Sequence, residues 1–292
     1  MGLQVCVLAS GSSGNCIYVG NEDTHLLIDA GVSCKVICER LSEIGVDPAA
    51  LQGICISHEH GDHHVGVAVL HRKFGIPVFG NAGTVEVLGR STRYEGLPWN
   101  VFTTGQPFRV GSIVVEPFPI PHDSFEPVAF ILRDEESRIG ICTDLGIATD
   151  LVRARLKQCN LLILETNHDE ELLLGSERSW SLKQRIMGAK GHLSNRKATE
   201  LLCSVACERL DSVFLAHMSR DCNRPQLAED TVREGLTRAG LEHVSLHATY
   251  PDRVSHVWRH KDLACPSAQQ STEQPARQQS LHPELDLVDV ES

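Results

Sequence analysis

The chain has 292 residues, is 41% hydrophobic and carries a formal net charge of −11. That length suits one α/β domain with a real core, and aromatics at 5% leave the core to Leu, Ile, Val and Ala. The acidic balance argues against holding nucleic acid through a broad basic surface, although bound divalent metals would add positive charge locally.

Strand-type and helix-type runs alternate in chain order. Residues 3–10 and 16–20 flank the turn Gly11-Ser12-Ser13-Gly14-Asn15 and read as a hairpin. It is not a phosphate-binding Walker loop, because no Gly-Lys-Ser/Thr follows. Residues 25–29 form a third strand ending on Asp29, and 34–45 have helical periodicity. The apolar run 53–57 leads into a His cluster, and 64–74 reads as a helix stopped by Gly75-Ile76-Pro77. Strands at 113–118 and 128–133 flank a loop holding His122. Further strands end at Asp144, Glu165 and His217, with helices at 196–209 and 225–239 and a last strand at 244–248. Such a pattern suits two sheets face to face with helices outside.

From residue 262 Gln, Ser, Pro and Glu dominate, so residues 1–261 read as one domain and 262–292 as a disordered, acid-rich tail. The 11 cysteines are odd in number, dispersed and without a Cys-x-x-Cys pair, which reads as reduced thiols in a cytoplasmic protein. No signal peptide and no apolar run of membrane-spanning length is visible.

The strongest chemical signal is Ser57-His58-Glu59-His60-Gly61-Asp62-His63. Four potential ligands fall within six residues, directly after a buried-type strand. His58 and His60 can aim at one point, and Asp62 and His63 at a second. Imidazole with carboxylate suits zinc, with manganese or iron as alternatives. His122, Asp144 and His217 each follow a β-run and complete two metal sites, with Asp144 free to bridge. Asp29 reads as a support that holds the loop or a ligand imidazole.

His-x-His-x-Asp-His followed by His, Asp and His on successive strands resembles the metallo-β-lactamase superfamily. Ser10-Gly11-Ser12-Ser13-Gly14-Asn15-Cys16, Asn167-His168-Asp169, Gly191-His192-Leu193-Ser194-Asn195 and Leu215-Ala216-His217-Met218-Ser219 resemble its YycJ/WalJ branch more narrowly. The resemblance covers about residues 3–260 and implies an α/β fold, the αβ/βα sandwich, with two divalent metals at one edge of the sheets. It places His58, His60 and His122 on one metal and Asp62, His63 and His217 on the other, bridged by Asp144. Glu165 and His192 resemble the Glu and His pair of RNase Z-type phosphodiesterases. A carboxylate beside an imidazole keeps it protonated, as a phosphate ligand or proton donor.

The expected function is therefore a binuclear metal-dependent phosphodiesterase or nuclease, with a DNA exonuclease as the narrower form. In it a hydroxide shared by the metals attacks the phosphodiester, with Asp62, Glu165 and His192 in catalytic roles. His192, His168 and Asn167 are the expected substrate contacts, and nucleic acid or a small phosphodiester is the expected partner. The alternatives are a cyclic phosphodiesterase, a glyoxalase II-like thioesterase or lactonase, and a metal-binding regulator without turnover. Lys183, Arg185, Lys190, Arg196, Arg220 and Arg224 are candidates for a basic rim, and Trp180 either stacks on a base or caps the core. The stretch between Asp144 and His217 is too short for a β-CASP insertion. Oligomeric state is not readable.

Overall fold

In the computed structural model, which describes residues 2–260, strands β1 (Gln4–Ala9), β2 (Cys16–Gly20), β3 (His25–Ile28), β4 (Gly53–Cys55), β5 (Val78–Asn81) and β6 (Trp99–Phe102) build a first sheet. Strands β7 (Phe108–Val110), β8 (Ile113–Pro119), β9 (Val128–Arg133), β10 (Arg138–Cys142), β11 (Leu161–Glu165), β12 (Ser212–Ala216) and β13 (Ser245–Ala248) build a second, in that order. The chain then returns to the first sheet, where β14 (Trp258–Arg259) pairs antiparallel with β1. In each sheet an antiparallel half gives way to a parallel half, β3-β4-β5-β6 in the first and β10-β11-β12-β13 in the second.

Side chains along the strands sort by parity, as a period of two requires. Val5 and Val7 enter the core between the sheets, with Ile139, Ile141 and Ile163 from the other side. Cys6 and Leu8 point outward into a second core. There they meet α1 (Cys34–Glu43) through Ile37 and Leu41, and α3 (Val67–Phe74) through Val67 and Leu70. A four-residue helix, α2 (Gly61–His64), precedes α3, and α4 (Ala82–Gly89) follows β5. On the other outer face Leu162 and Leu164 pack with α5 (Asp150–Leu156), α8 (Asn195–Val205) and α9 (Pro225–Arg238). Two short helices, α6 (Glu170–Gly175) and α7 (Trp180–Met187), lie between β11 and α8. Helix, sheet, sheet, helix is the sandwich that the resemblance implied.

Several boundaries differ from expectation for local reasons. The helix expected from residue 64 starts only at Val67, because the chain is pinned at Gly66. Its N–H bonds the Ala30 carbonyl, and a Cβ there would lie 2.4 Å from the Val32 carbonyl oxygen. The helix expected to reach 209 stops at Val205. The ten cysteines of the described region are all free, and seven are buried. Burial pushes the thiols of Cys16, Cys55 and Cys142 well up, which fits inert core residues. Among the described residues no helix is long and apolar enough to cross a membrane. The expected tail at 262–292 lies outside the described residues.

Candidate metal centre

Strands β3, β4, β10, β11 and β12 all end in parallel pairings, and all five deliver a polar side chain at or just past the carboxyl end. These are Asp29, the His58 loop, Asp144, Glu165 and His217. Open α/β sheets place ligands at such ends. Three of the delivered residues take left-handed backbone: Asp29 at φ 60°, Asp144 at φ 58° and His217 at φ 54°. Non-glycine residues adopt this region at a cost of order 1–3 kcal/mol, held there by surrounding structure. The sharp turn swings each side chain off its strand and towards the sheet edge.

Potential donor atoms converge within 4.8 Å of one another in overlapping groups. One group is His58, His60 and His122, another is Asp62, His63 and His217, and Asp144 falls with His58 and His63. Asp144 Oδ2 lies 3.3 Å from His63 Nε2, and Asp144 Oδ1 lies 3.8 Å from His122 Nε2. Asp144 therefore touches both expected groups. Glu59, inside the same loop, is no part of them. Its carboxylate accepts the Phe125 N–H at 2.7 Å and ties the His122 loop to the His58 loop.

Hydrogen bonds behind the cluster aim the rings. His63 Nδ1 is 2.7 Å from Asp29 Oδ2, and Asp29 also accepts the Ser57 N–H and hydroxyl, each at 2.8 Å. His58 Nδ1 meets the Ser57 hydroxyl at 3.0 Å, and His217 Nδ1 meets Glu165 Oε1 at 2.9 Å. With Nδ1 engaged behind, Nε2 of each ring is left for the cluster. Metal-binding imidazoles are commonly held this way. Asn15 adds a clamp in front: its backbone N–H bonds the Asp62 carbonyl at 2.8 Å, and its amide reaches Asp62 Oδ2 at 3.2 Å.

The residues present fit a metal. His58 Nε2, Asp144 Oδ2 and His217 Nε2 are buried without a hydrogen-bond partner. Buried polar atoms are rarely left so, and here all three belong to the convergent set. Electrostatics agrees. Burial and the neighbouring His63 push His58 well below the ordinary imidazole range, leaving it neutral. Burial opposes the charged forms of Asp62 and Asp144, but the surrounding imidazoles hold both carboxyls well below the usual range.

Glu165 is fully buried and fully bonded. Its Oε1 meets His192 Nδ1 at 2.8 Å as well as His217 Nδ1, while Oε2 accepts the N–H groups of Leu145 at 2.9 Å and Leu193 at 3.0 Å. Burial alone would depress His192, but the Glu165 carboxylate outweighs it and holds the ring above its ordinary value. Asp62, His122, Asp144, His192, His217 and Asn167 share one open cleft of about 260 Å³. That is at the small end of ligand pockets, enough for one small group of a larger substrate.

Several expectations need correction. His168 was expected to touch substrate. Its ring is 2% exposed and is not among the residues lining the cleft. Its backbone instead pairs with the 194–195 segment, and burial pushes the imidazole down to about 4. Glu165, expected to orient His192, is fully buried and meets both His192 and His217, so it touches the cleft only through those two rings. Lys183 is no rim residue, because its ammonium is buried against the carbonyls of Leu174 and Ser176. Arg196 is held by Glu170 and Glu200. Trp180 does not cap the core, being 60% exposed. His64 extends the His cluster in sequence but, as expected, faces away from it, bonded to Tyr94 and to the Glu59 carbonyl. Arg178 lines the cleft and was not singled out from the sequence, since a single Arg between Glu177 and Ser179 carries no signal.

Two substitutions probe the frame. Asp29→Asn is expected to lower metal affinity by about 10–100-fold, the usual effect of removing a group behind a ligand imidazole. Competition with a chromogenic chelator measures it. At Gly31 a Cβ would fall 1.6 Å from the Asp62 carbonyl oxygen. Gly31→Ala must displace the ligand loop, so thermal stability should drop by about 1–3 kcal/mol and metal content should drop with it. A melting curve and a metal analysis on the same sample read both.

Comparison with known proteins supplies family context. Residues 24–218 match the family described as the beta-lactamase superfamily domain. The chain is 34% identical over 263 residues to the exodeoxyribonuclease YycJ of Bacillus anthracis, covering 88% of this chain and 99% of that protein. It is also 34% identical to the exodeoxyribonuclease WalJ of Streptococcus pneumoniae, covering 82% of this chain and 91% of that protein. Among solved structures, the metallo-beta-lactamase fold protein YhfI from Bacillus subtilis superposes with a TM-score of 0.67 at 15% identity, over 88% of this chain and 99% of that one.

Proposed function

Since the chain belongs to the beta-lactamase superfamily and, within it, to the family of the YycJ and WalJ exodeoxyribonucleases, we propose that it is a metal-dependent phosphodiesterase that removes nucleotides from DNA ends. The observation that carries the phosphodiester reading is the buried Glu165, whose one oxygen meets both His192 and His217. His58, His60 and His122 would hold one divalent metal, and Asp62, His63 and His217 a second, with Asp144 between them. Such metals lower the pKa of water from 15.7 to about 7 and offset the negative charge that builds on a phosphoryl group. Zinc, manganese and iron all suit this donor set.

The chain's own groups do the rest. Glu165 accepts the Nδ1–H of His192 and, as a buried carboxylate, favours the protonated ring, which then also carries a proton at Nε2. A leaving alkoxide needs such a proton, whereas a leaving thiolate does not. That difference favours phosphodiester over thioester chemistry. Glu165 also fixes which nitrogen of His217 faces Asp62. Asn167 donates its amide to the His217 carbonyl at 2.9 Å and shapes the cleft wall.

The test is hydrolysis of bis-p-nitrophenyl phosphate and of S-lactoylglutathione by the metal-loaded protein. Phosphodiester cleavage is expected. Thioester cleavage alone would overturn the proposal in favour of a glyoxalase II-like enzyme. Full metal content with no turnover on any substrate would leave a metal-binding regulator.

A further inference from the structure

The net charge of −11 is not spread evenly. Residues 178–199 contain no Asp or Glu, yet hold six of the chain's 27 Lys and Arg. This stretch begins at α7, which forms one lip of the cleft through Leu182, Arg185 and Ile186, with Arg178 just before it.

Each of the two arginines is set in place by one acid on a neighbouring loop. Arg185 reaches Asp123 at 2.5 Å, on the loop that carries His122. Arg178 reaches Asp221 at 2.9 Å, on the loop after His217. A guanidinium has five N–H donors, so one carboxylate leaves several free to turn towards a phosphate. Lys190 continues the line as an exposed residue beyond α7. At the start of α7, Trp180 is 60% exposed. A large aromatic in water beside free cationic donors matches the chemistry of a nucleic-acid strand, whose bases stack on aromatic faces while its phosphates meet Arg and Lys.

We propose that residues 178–190 form a seating rim for a polynucleotide strand, with Arg178 and Arg185 on backbone phosphates at the cleft mouth and Trp180 stacked on a base outside it. This rests on the phosphodiesterase reading and adds where the strand is held, by a rim several groups away from the scissile bond. It also reconciles an acidic protein with a nucleic-acid substrate, because the contact is confined to one lip.

The experiment uses the full-length, metal-loaded chain and a short phosphorothioate-linked oligodeoxynucleotide that resists cleavage. Trp258 is buried and Trp99 partly so, which leaves Trp180 as the exposed indole reporter. Titration is expected to quench tryptophan fluorescence, and Trp180→Phe should remove most of that quench. Trp180→Ala should weaken binding about tenfold, in line with the loss of one base–aromatic stack. The double variant Arg178→Gln, Arg185→Gln should flatten the salt dependence of binding by about 0.7 per lost phosphate contact. It should also reduce kcat/KM on the oligonucleotide far more than on bis-p-nitrophenyl phosphate. Cleavage of oligonucleotides with unaltered binding, quench and salt slope in these variants would overturn the rim alone. Failure to cleave any phosphodiester would overturn the underlying function instead. Failure of the oligonucleotide to bind, with an acidic peptide binding in its place, would assign the rim to a protein partner and refute the proposal.

Discussion

Asp144→Ala is expected to abolish turnover, with a loss of at least about 10³-fold, and to empty the centre of metal. Asp144 is buried with one oxygen unpartnered, and it lies within ion-pair distance of His63, His122 and His217. No other carboxylate in the cluster reaches both ligand groups. Removing it leaves a knot of imidazoles with less negative charge to offset bound cations. Removing a single preorganised donor from an active site costs about 10²–10³-fold, and here the loss includes activation of water as well. Elemental analysis and steady-state kinetics on the same preparation check it. A variant with full metal content and near-normal activity would show that Asp144 is not the bridge.

His192→Ala is expected to have the second-largest effect, with a different signature. Loss of a general acid costs about 10²–10⁴-fold when the leaving group needs a proton. A nucleotide's alkoxide needs one, but p-nitrophenolate leaves largely without help. The variant should therefore fail badly on DNA and be much less impaired on bis-p-nitrophenyl phosphate. Metal content should hold: His192 converges with Asp144, Glu165 and His217, but its Nδ1 is committed to Glu165 at 2.8 Å and lies farther, 3.8 Å, from Asp144. An equal loss on both substrates would remove its role as proton donor. Loss of metal would place it among the ligands instead.

The sequence made the donor set legible because its signals were local and chemical. Four ligands in six residues, then a His or Asp closing a β-run, need only a strand and a tight turn. Residues 3–10 were likewise readable as a strand, but only the fold shows Val5 and Val7 entering one core and Cys6 and Leu8 the other. The short elements were harder. Strand β6 spans only Trp99–Phe102 with two exposed residues, so no alternation could establish it. Helices α6 and α7 have six and eight residues, too few for a clear helical period.

Long-range contacts were hidden for another reason. Asn15 meets Asp62 across 47 positions, and Glu165 meets His217 across 52. Only the fold brings such pairs together. Glu165 shows both sides of this. Its place beside His192 was readable from the order of motifs, but its second bond to His217 was not. His168 marks the opposite error: a motif neighbour of Asn167 that the backbone buries for its own pairing.

The most direct measurement is digestion of end-labelled DNA by the purified chain, scanned over zinc, manganese and iron and repeated with Asp144→Ala. Stepwise release of nucleotides from an end, strictly dependent on added metal and absent in the variant, is the result predicted. DNA left intact under every metal, while S-lactoylglutathione is hydrolysed by the same preparation, would contradict it.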